Sequence, residues 1–415
     1  MAANPGISPF PVFAPAAARA QTRAQVQRAV NPFVRAALYF FVLSIPFELP
    51  QIAIPLEVPT LTGGLFLLAT LVQPSTSYRR IPGAVLWFTV YLWMFGLSTL
   101  VNRSTHTDLV VPLFLLMLQL VLVLWATSNL LRDPRVMRGV LITLAMAVAL
   151  RAGLQVLGIG ATAKEVWTGG ERVSAFGQNP NLASIIMGVG AVMLVNLRPR
   201  LITWPAAAMV AFAVIQTGSR GGLACLAMGL LVWAIMSGRT FGAKLRGFGL
   251  GVFALGVLAF GVLRSDMLRT RLLAAEGGSL AGREHIYPAA IAMISERPLL
   301  GWGPLENQFE IATRIAEQKK DKRDAHNIVL DLLSSTGVLG TIPFLIGMGV
   351  CLLSAWRARR GPYGSLPLAI SSVTFVGCMS GTWIASKILW LTFAIALAAA
   401  AAAPRRAAYT REMPA

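Results

Sequence analysis

The chain has 415 residues, 56% of them hydrophobic and 13% charged, and its formal net charge is +19. A soluble protein of this composition would expose too much apolar surface, so the composition favours an integral membrane protein. The basic segments are not interleaved with aromatic residues. The charge therefore indicates attraction to anionic lipid headgroups and no binding of nucleic acid.

The apolar residues form twelve stretches, several of them short or interrupted by glycine and proline. A transmembrane helix needs about 20 apolar residues, and continuous apolar runs favour helices over alternating strands. The predicted fold is an all-α polytopic membrane protein with about 12 transmembrane helices. The predicted spans are 33–47, 57–73, 81–101, 109–130, 136–158, 180–197, 201–217, 221–237, 246–264, 328–355, 364–383 and 387–403.

Basic residues are dense in alternate gaps between these stretches, a bias that sets the orientation of membrane proteins. The other short gaps hold few of them, namely Arg103, Lys164, Arg172, Arg220 and Lys387. Both termini are therefore predicted to be cytoplasmic, and the large loop 265–325 is predicted to face outward. Transmembrane helices occupy 33–264 and 326–403, and the tails 1–32 and 404–415 are predicted to be disordered.

Acidic residues are nearly absent from the predicted spans: Glu57 lies at the end of one, and only Asp331 lies within one. Ion-coupled transporters need intramembrane carboxylates, and a divalent-metal site for sugar transfer needs clustered carboxylates, so both are disfavoured. The cysteines lie inside predicted spans and the histidines lack metal-site spacing. We therefore expect no disulfide, no metal and no cofactor.

Arg220 lies in a tight predicted turn, 217–222, between two spans on the outer side. Gly221 and Gly222 open the next helix, whose N-terminal amides and dipole favour an anion. A guanidinium beside those amides is suited to phosphate oxygens. The alternative is that Arg220 extends to lipid headgroups, and composition alone does not separate the two.

The large loop contains a second cation at a predicted helix start. Apolar residues recur at helical spacing over 283–296, which predicts an amphipathic helix against the outer membrane face. Arg283 lies in its first turn, where the dipole disfavours positive charge. An anionic ligand would explain this placement, and a surface arginine is the alternative.

His326 directly precedes the tenth predicted span, at the boundary between water and membrane. An imidazole there can titrate near neutral pH and accept a proton from a hydroxyl. Asn327 follows it, and Asp331 lies a little over a helical turn further on, where it could orient the ring. A structural histidine is the alternative.

Two further cations are weaker candidates for binding. Arg151 lies inside the fifth predicted span, where a charge is costly unless it faces a cavity or a partner. Arg172 lies in the outer loop that follows, where it could close over a substrate or serve a structural role.

Arg220, Arg283, His326 and Asn327 lie in short motifs that resemble the O-antigen ligase / O-antigen polymerase superfamily. The motifs are Phe176-Gly177-Gln178-Asn179-Pro180-Asn181, the Ser-Arg-Gly-Gly turn 219–222, Gly282-Arg283 with Pro298 and Gly301-Trp302-Gly303, and His326-Asn327 with 335–340. The motifs cover roughly 170–345 and occur in the family's order. In some ligases a second histidine precedes the motif histidine, whereas this chain has Ala325.

The resemblance implies a polytopic glycosyltransferase of the bacterial inner membrane, similar to membrane glycosyltransferases of type C, with a large periplasmic loop. It is most similar to ligases that transfer O-antigen from undecaprenyl diphosphate to lipid A–core. The resemblance makes His326 the general base, and Arg220 and Arg283 would hold the diphosphate without a metal, with inversion of the sugar. The alternatives are a repeat-unit polymerase, a protein O-oligosaccharyltransferase or a non-enzymatic flippase or exporter.

Overall fold

The computed structural model describes residues 29–48, 57–165, 171–236, 241–265, 268, 282–315 and 321–403. In chain order the helices are α1 (Pro32–Ser44, followed by the 3-10 turn Ile45–Phe47), α2 (Val58–Thr70), α3 (Pro74–Ser77), α4 (Gly83–Val101), α5 (Thr107–Leu130), α6 (Pro134–Val156), α7 (Pro180–Asn196), α8 (Arg200–Gln216), α9 (Arg220–Met236), α10 (Phe241–Leu263), α11 (Arg283–Glu296), α12 (Glu306–Thr313), α13 (Ile328–Ala358), α14 (Leu366–Cys378) and α15 (Lys387–Ala401).

A helix occupies each of the twelve predicted stretches. Among the described residues, four helices (α4, α5, α6 and α13) are long and apolar enough to cross a membrane by length and composition, and most of the others are shorter apolar helices. The chain is therefore a helical membrane protein, and the number of spans stays a prediction. The predicted tails lie outside the described residues, except for 29–32.

Among the described residues, one hairpin departs from the all-helical prediction. Strands β1 (Ala161–Glu165) and β2 (Glu171–Ala175) pair antiparallel, with Ala161 opposite Ala175. The two strands lie between α6 and α7, in the region that the sequence analysis described only as an outer loop.

Several helices begin at a proline that follows an Asn or Asp cap. The side chains of Asn31, Asp133 and Asn179 each accept a hydrogen bond from the backbone amide two residues further on. Proline suits the first helical position because its missing N–H would have no helical partner there. These local signals explain why the helix starts agree with the sequence prediction.

Helix α13 is broken at Gly337, whose φ of 61° and ψ of −166° are not helical. The segment 298–303 of the loop runs beside the break and pairs with the backbone groups that it frees. The amides of Val338 and Leu339 donate to the carbonyls of Pro298 at 2.8 Å and Leu299 at 3.1 Å. Unpaired backbone groups inside an apolar bundle cost several kcal/mol each, so this pairing makes the break tolerable.

The same segment pairs with the first half of α13. The amides of Trp302 and Gly303 donate to the carbonyls of Ser334 at 2.8 Å and Ser335 at 2.9 Å. Ser98 of α4 donates to the carbonyl of Leu300 at 2.6 Å. The loop segment is therefore fixed to two helices of the bundle by hydrogen bonds.

Helix α11 occupies the predicted residues, but its apolar face packs on protein. Ile286, Ala290 and Met293 form a small core with Ile311 and Ile315, which follow in and after α12. The expectation that this face lies against the membrane is therefore wrong for these three side chains, because α12 covers them.

Glu306 fastens α12 to the start of α5. Its Oε1 accepts hydrogen bonds from the Ser104 hydroxyl at 2.7 Å and from the amides of Thr105 at 2.7 Å and His106 at 3.1 Å. Partial burial raises the pKa of Glu306, but these bonds outweigh it and lower the pKa to about 2. The contact therefore stabilises the fold above the ordinary carboxyl pKa and is lost only as the pH falls towards 2.

Two carboxylates and a lysine form a buried charged cluster. Glu48 follows the first helix, Glu57 precedes α2, and both pair with Lys387 at the start of α15; the three residues are 2%, 3% and 3% exposed. The sequence indicated Lys387 only as a basic residue in an outer gap. Its position shows that it ties the first connection of the chain to the last helix.

We expect Gly337→Ala to prevent correct folding. A Cβ at this position would lie 2.3 Å from the carbonyl carbon of Leu299, and φ is positive. The strained conformation alone costs about 1–3 kcal/mol, and the clash is with backbone that cannot rotate away. Thermal unfolding and the yield of monodisperse protein in detergent measure the effect.

Gly349→Ala is the matched control, because it lies in the same helix with nothing within 4 Å of its Cβ. Equal behaviour of the two variants would show that the break at Gly337 does not constrain the fold.

Candidate active site

Three segments that carry predicted site residues contact one turn, 379–382, directly after α14. Arg283 Nη2 donates to the carbonyl of Ser380 at 2.8 Å, and Asn327 Nδ2 donates to the carbonyl of Met379 at 3.5 Å. The start of α9 approaches the same turn, since a Cβ on Gly221 would lie 2.9 Å from Ser380 Oγ. The structure therefore gathers the helix start that carries Arg220, the Arg283 side chain and the His326 segment at one end of the bundle.

Arg220 is the first residue of α9, and the close contact of α9 with α7 requires a residue without a side chain at position 222. A Cβ on Gly222 would lie 2.0 Å from Ser184 Oγ of α7. The amide of Gly222 donates to Ser219 Oγ at 3.0 Å, which caps the helix. The predicted glycine pair thus lets α9 begin in close contact with α7 and with the turn 379–382, and Arg220 lies where this helix emerges.

Arg283 lies at the start of α11, and within the described part of the chain its guanidinium donates to a backbone carbonyl and not to a carboxylate. The preceding Gly282 has a left-handed φ of 84° and gives no side-chain cap. The Nη2 atom of Arg283 donates to a neutral carbonyl, and the buried Nε atom of Arg283 has no hydrogen-bond partner among the described residues. A cation at a helix N-terminus is unfavourable unless negative charge compensates it. This arrangement is suited to an anionic ligand.

His326 has a left-handed backbone, with φ of 52°. Its amide donates to Asp324 Oδ1 at 2.9 Å, and its ring Nδ1 lies 3.8 Å from Asp324 Oδ2. The side chains of His326 and Asp324 are 39% and 30% exposed, so the ring is accessible to a substrate hydroxyl. The hydroxyl of Thr382 donates to Asp324 Oδ1.

Asp331 has a different role from the one expected. It is 7% exposed and accepts a hydrogen bond from Asn307 Nδ2 at 3.0 Å, which also donates to Ser334 Oγ at 3.0 Å. Asp331 therefore joins α13 to α12, and Asp324 is the carboxylate that pairs with His326. Asn327 accepts from the amides of the next helical turn and so caps α13.

Arg172 connects the hairpin to the turn before α9. Its Nε donates to the carbonyl of Thr217 at 2.9 Å, and its Nη2 donates to Asn181 Oδ1 at 2.8 Å. The same Asn181 oxygen accepts from Ser219 Oγ at 2.9 Å. The second asparagine of the Asn-Pro-Asn motif thus links three segments, and these contacts favour the structural role for Arg172.

Arg151 is 1% exposed and lies among neutral groups on α6. It donates to Gln178 Oε1 at 3.0 Å and to Gln155 Oε1 at 3.1 Å, and Gln178 in turn donates to the carbonyl of Glu48 at 2.5 Å. None of these contacts reaches the turn 379–382. The arginine therefore supports the connection before α7 and does not join the other candidates.

Besides Asp324, three residues near the site were missed by the sequence analysis. Ser380 and Thr382 lie in a polar Ser-Gly-Thr stretch at the end of a predicted span, which is a weak signal. Arg323 is 8% exposed, and its Nη1 would lie 3.9 Å from a Cβ on Gly282. It thus adds a further guanidinium next to the start of α11.

A family model described as O-antigen ligase matches residues 205–345. The match runs from α8 into α13, and it contains Arg220, Arg283, His326 and the helix break at Gly337. No curated protein matches the chain. The match agrees with the motifs, which resemble the O-antigen ligase / O-antigen polymerase superfamily over the same part of the chain.

Proposed function

We propose that the protein transfers an O-antigen glycan from undecaprenyl diphosphate to a sugar hydroxyl of lipid A–core. The family match points to activity of the ligase/polymerase type. The observation that carries the proposal is the convergence of the α9 start, Arg283 and the His326 segment on the turn 379–382, within or next to the matched region. The donor, the acceptor and the assignment to the ligase branch are proposed here.

The proposed reaction is a single displacement at the anomeric carbon. His326 takes the proton from the acceptor hydroxyl, and the hydroxyl oxygen attacks the carbon that carries the diphosphate. The C–O bond to the diphosphate breaks, which inverts the sugar. Arg220 and Arg283 hold the leaving diphosphate, and each charge-assisted contact contributes about 1.5–3 kcal/mol.

The proposed topology places this chemistry at the periplasmic face of a bacterial inner membrane. The charge bias supports twelve spans with cytoplasmic termini and an outward loop 265–325, flanked by helices 33–264 and 326–403. Lipid substrates and membrane lipids are the expected partners. The short tails 1–32 and 404–415 would lie in the cytoplasm.

A repeat-unit polymerase or a protein O-oligosaccharyltransferase would use the same base and the same cations, because only the acceptor differs. A flippase would need a cationic lining along the whole path of the diphosphate. Arg220, Arg283 and Arg323 instead gather at one end of the bundle, which favours an enzyme.

A deletion strain tests the acceptor assignment. We expect undecaprenyl-linked polymer to accumulate while lipid A–core stays bare, as seen by lipopolysaccharide immunoblot, with restoration by the wild-type gene. Core that carries a single repeat would identify a polymerase. Unchanged lipopolysaccharide would contradict both assignments.

Loss of the proposed base or of either diphosphate ligand should abolish or strongly reduce transfer by purified protein. We expect His326→Ala to be inactive, and Arg220→Ala and Arg283→Ala to lose about 10- to 150-fold in rate, which corresponds to about 1.5–3 kcal/mol. Lysine should rescue poorly at both positions, because a point charge does not replace a bidentate fork.

Arg264→Ala is the control, since Arg264 is exposed near the end of α10. Full rescue of Arg220 and Arg283 by lysine would indicate headgroup anchoring. Near-wild-type transfer by His326→Ala would show that the base assignment is wrong.

Transfer should not depend on a metal ion, because the arginines would neutralise the leaving diphosphate. Among the described residues, no group of three His, Cys, Asp or Glu side chains could hold a metal. We expect excess EDTA to leave the rate unchanged and added Mg²⁺ or Mn²⁺ to have little effect. Activity that is lost in EDTA and returns with one divalent ion would contradict this mechanism.

A further inference from the structure

We propose that Asp324 positions His326 for proton transfer, and that Thr382 in the turn 379–382 holds Asp324 for this role. The inference rests on the proposed function, in which His326 is the general base. Asp324 and Thr382 are positioning residues, because they act on His326 and not on the reacting atoms.

The two oxygens of Asp324 face different parts of His326. Oδ1 accepts the His326 amide at 2.9 Å and also the hydroxyl of Thr382, whereas Oδ2 lies 3.8 Å from ring Nδ1. One carboxylate therefore fixes the backbone of the histidine and faces its ring on the Nδ1 side. This leaves Nε2 as the ring atom that would take the proton of the acceptor hydroxyl.

The backbone of His326 needs support from both sides. Its φ of 52° is a left-handed conformation that costs a non-glycine residue about 1–3 kcal/mol. On one side the Asp324 carboxylate binds its amide, and on the other side Asn327 caps α13 with bonds to the amides of Val329 and Leu330. The direction of the ring is thus set by a strained residue between two polar anchors.

The turn 379–382 connects this arrangement to the diphosphate ligands. Thr382 binds Asp324, Met379 accepts from Asn327, and Ser380 accepts from Arg283. A shift of the turn would therefore move His326 relative to the arginine that is proposed to hold the leaving group. Thr382 is the member of the turn whose side chain reaches the base segment.

The charge of Asp324 also matters when the proton moves. Arg220 and Arg283 lie on segments that contact the same turn as the His326 segment, and Arg323 lies in the His326 segment itself. Positive charge near an imidazole disfavours its protonation. Among the carboxylates that the structure describes on this segment and on α13, Asp331 is bound to Asn307, whereas Asp324 lies at ion-pair distance from the ring. Asp324 is therefore the group that offsets the positive charge of the protonated ring.

The test measures kcat and KM of purified full-length variants with the undecaprenyl-diphosphate-linked donor and lipid A–core. Asp324→Asn removes the charge and keeps an oxygen for the His326 amide. Thr382→Val removes the hydroxyl at similar volume, and Thr382→Ser keeps it. Asp321→Asn is the matched control, because Asp321 is an exposed carboxylate three residues upstream.

We expect Asp324→Asn and Thr382→Val to lower kcat about 10-fold or more, part of the 10²–10⁴ that a general base contributes, with donor KM changed less than about twofold. Thr382→Ser should restore kcat to within about threefold of wild type, and Asp321→Asn should match wild type. A purely structural role would lower kcat and donor affinity together.

The inference is overturned if Asp324→Asn has the kcat of Asp321→Asn, if Thr382→Val equals Thr382→Ser, or if kcat and donor affinity fall in parallel. Should Asp324→Asn not fold, the Thr382 pair gives the same decision. The variant His326→Ala distinguishes a failure of this inference from a failure of the proposed base. An inactive His326→Ala beside a normal Asp324→Asn refutes only this inference, whereas an active His326→Ala refutes the proposed base.

Discussion

The break in α13 at Gly337 is the constraint on which the position of the loop depends. A helix inside an apolar bundle that stops pairing with itself needs other partners for its backbone, and the segment 298–303 provides them on both sides of the break. Gly301 in this segment has a positive φ of 66°, and a Cβ there would lie 2.6 Å from the backbone of Ser335. Both features require glycine at this position. Because 298–303 follows α11 directly, fixing it also fixes the helix that carries Arg283.

Charged side chains in the bundle have two different kinds of partner. The carboxylates of Glu48 and Glu57 both meet Lys387, so the partners of this buried lysine belong to the cluster itself. Removing one partner of such a cluster would leave a buried charge, which costs about 3–5 kcal/mol, so its first role is structural. At the turn 379–382, by contrast, Arg283 meets a carbonyl and its helix start adds further positive potential. Among the described residues, the Arg283 guanidinium donates to a neutral carbonyl and not to a carboxylate, which suits an anionic ligand.

The sequence predicted the twelve apolar helices well because each depends on a run of neighbouring apolar residues. The helices α1, α6 and α7 also begin at a proline after an Asn or Asp cap. It was less successful with side-chain contacts. Asp331 was expected beside His326 on helical spacing, but it accepts a hydrogen bond from Asn307 of α12. Asp324, close to His326 in the chain, is the carboxylate that faces the ring. Arg172 and Arg151 looked alike as isolated cations, and only their partners, Asn181 and Gln178, indicate structural roles.

The match to the O-antigen ligase family ends at residue 345, yet the site does not end there. The turn 379–382 lies beyond the match and contacts the starts of α9 and α11 and the His326 segment. Two of these contacts use its backbone carbonyls, which any residue could supply, so the sequence of the turn gives little sign of its role. Thr382 differs, because its hydroxyl makes the contact to Asp324. The matched motifs supply the proposed base and the proposed cations, and a segment outside the match contacts each of the three segments that carry them.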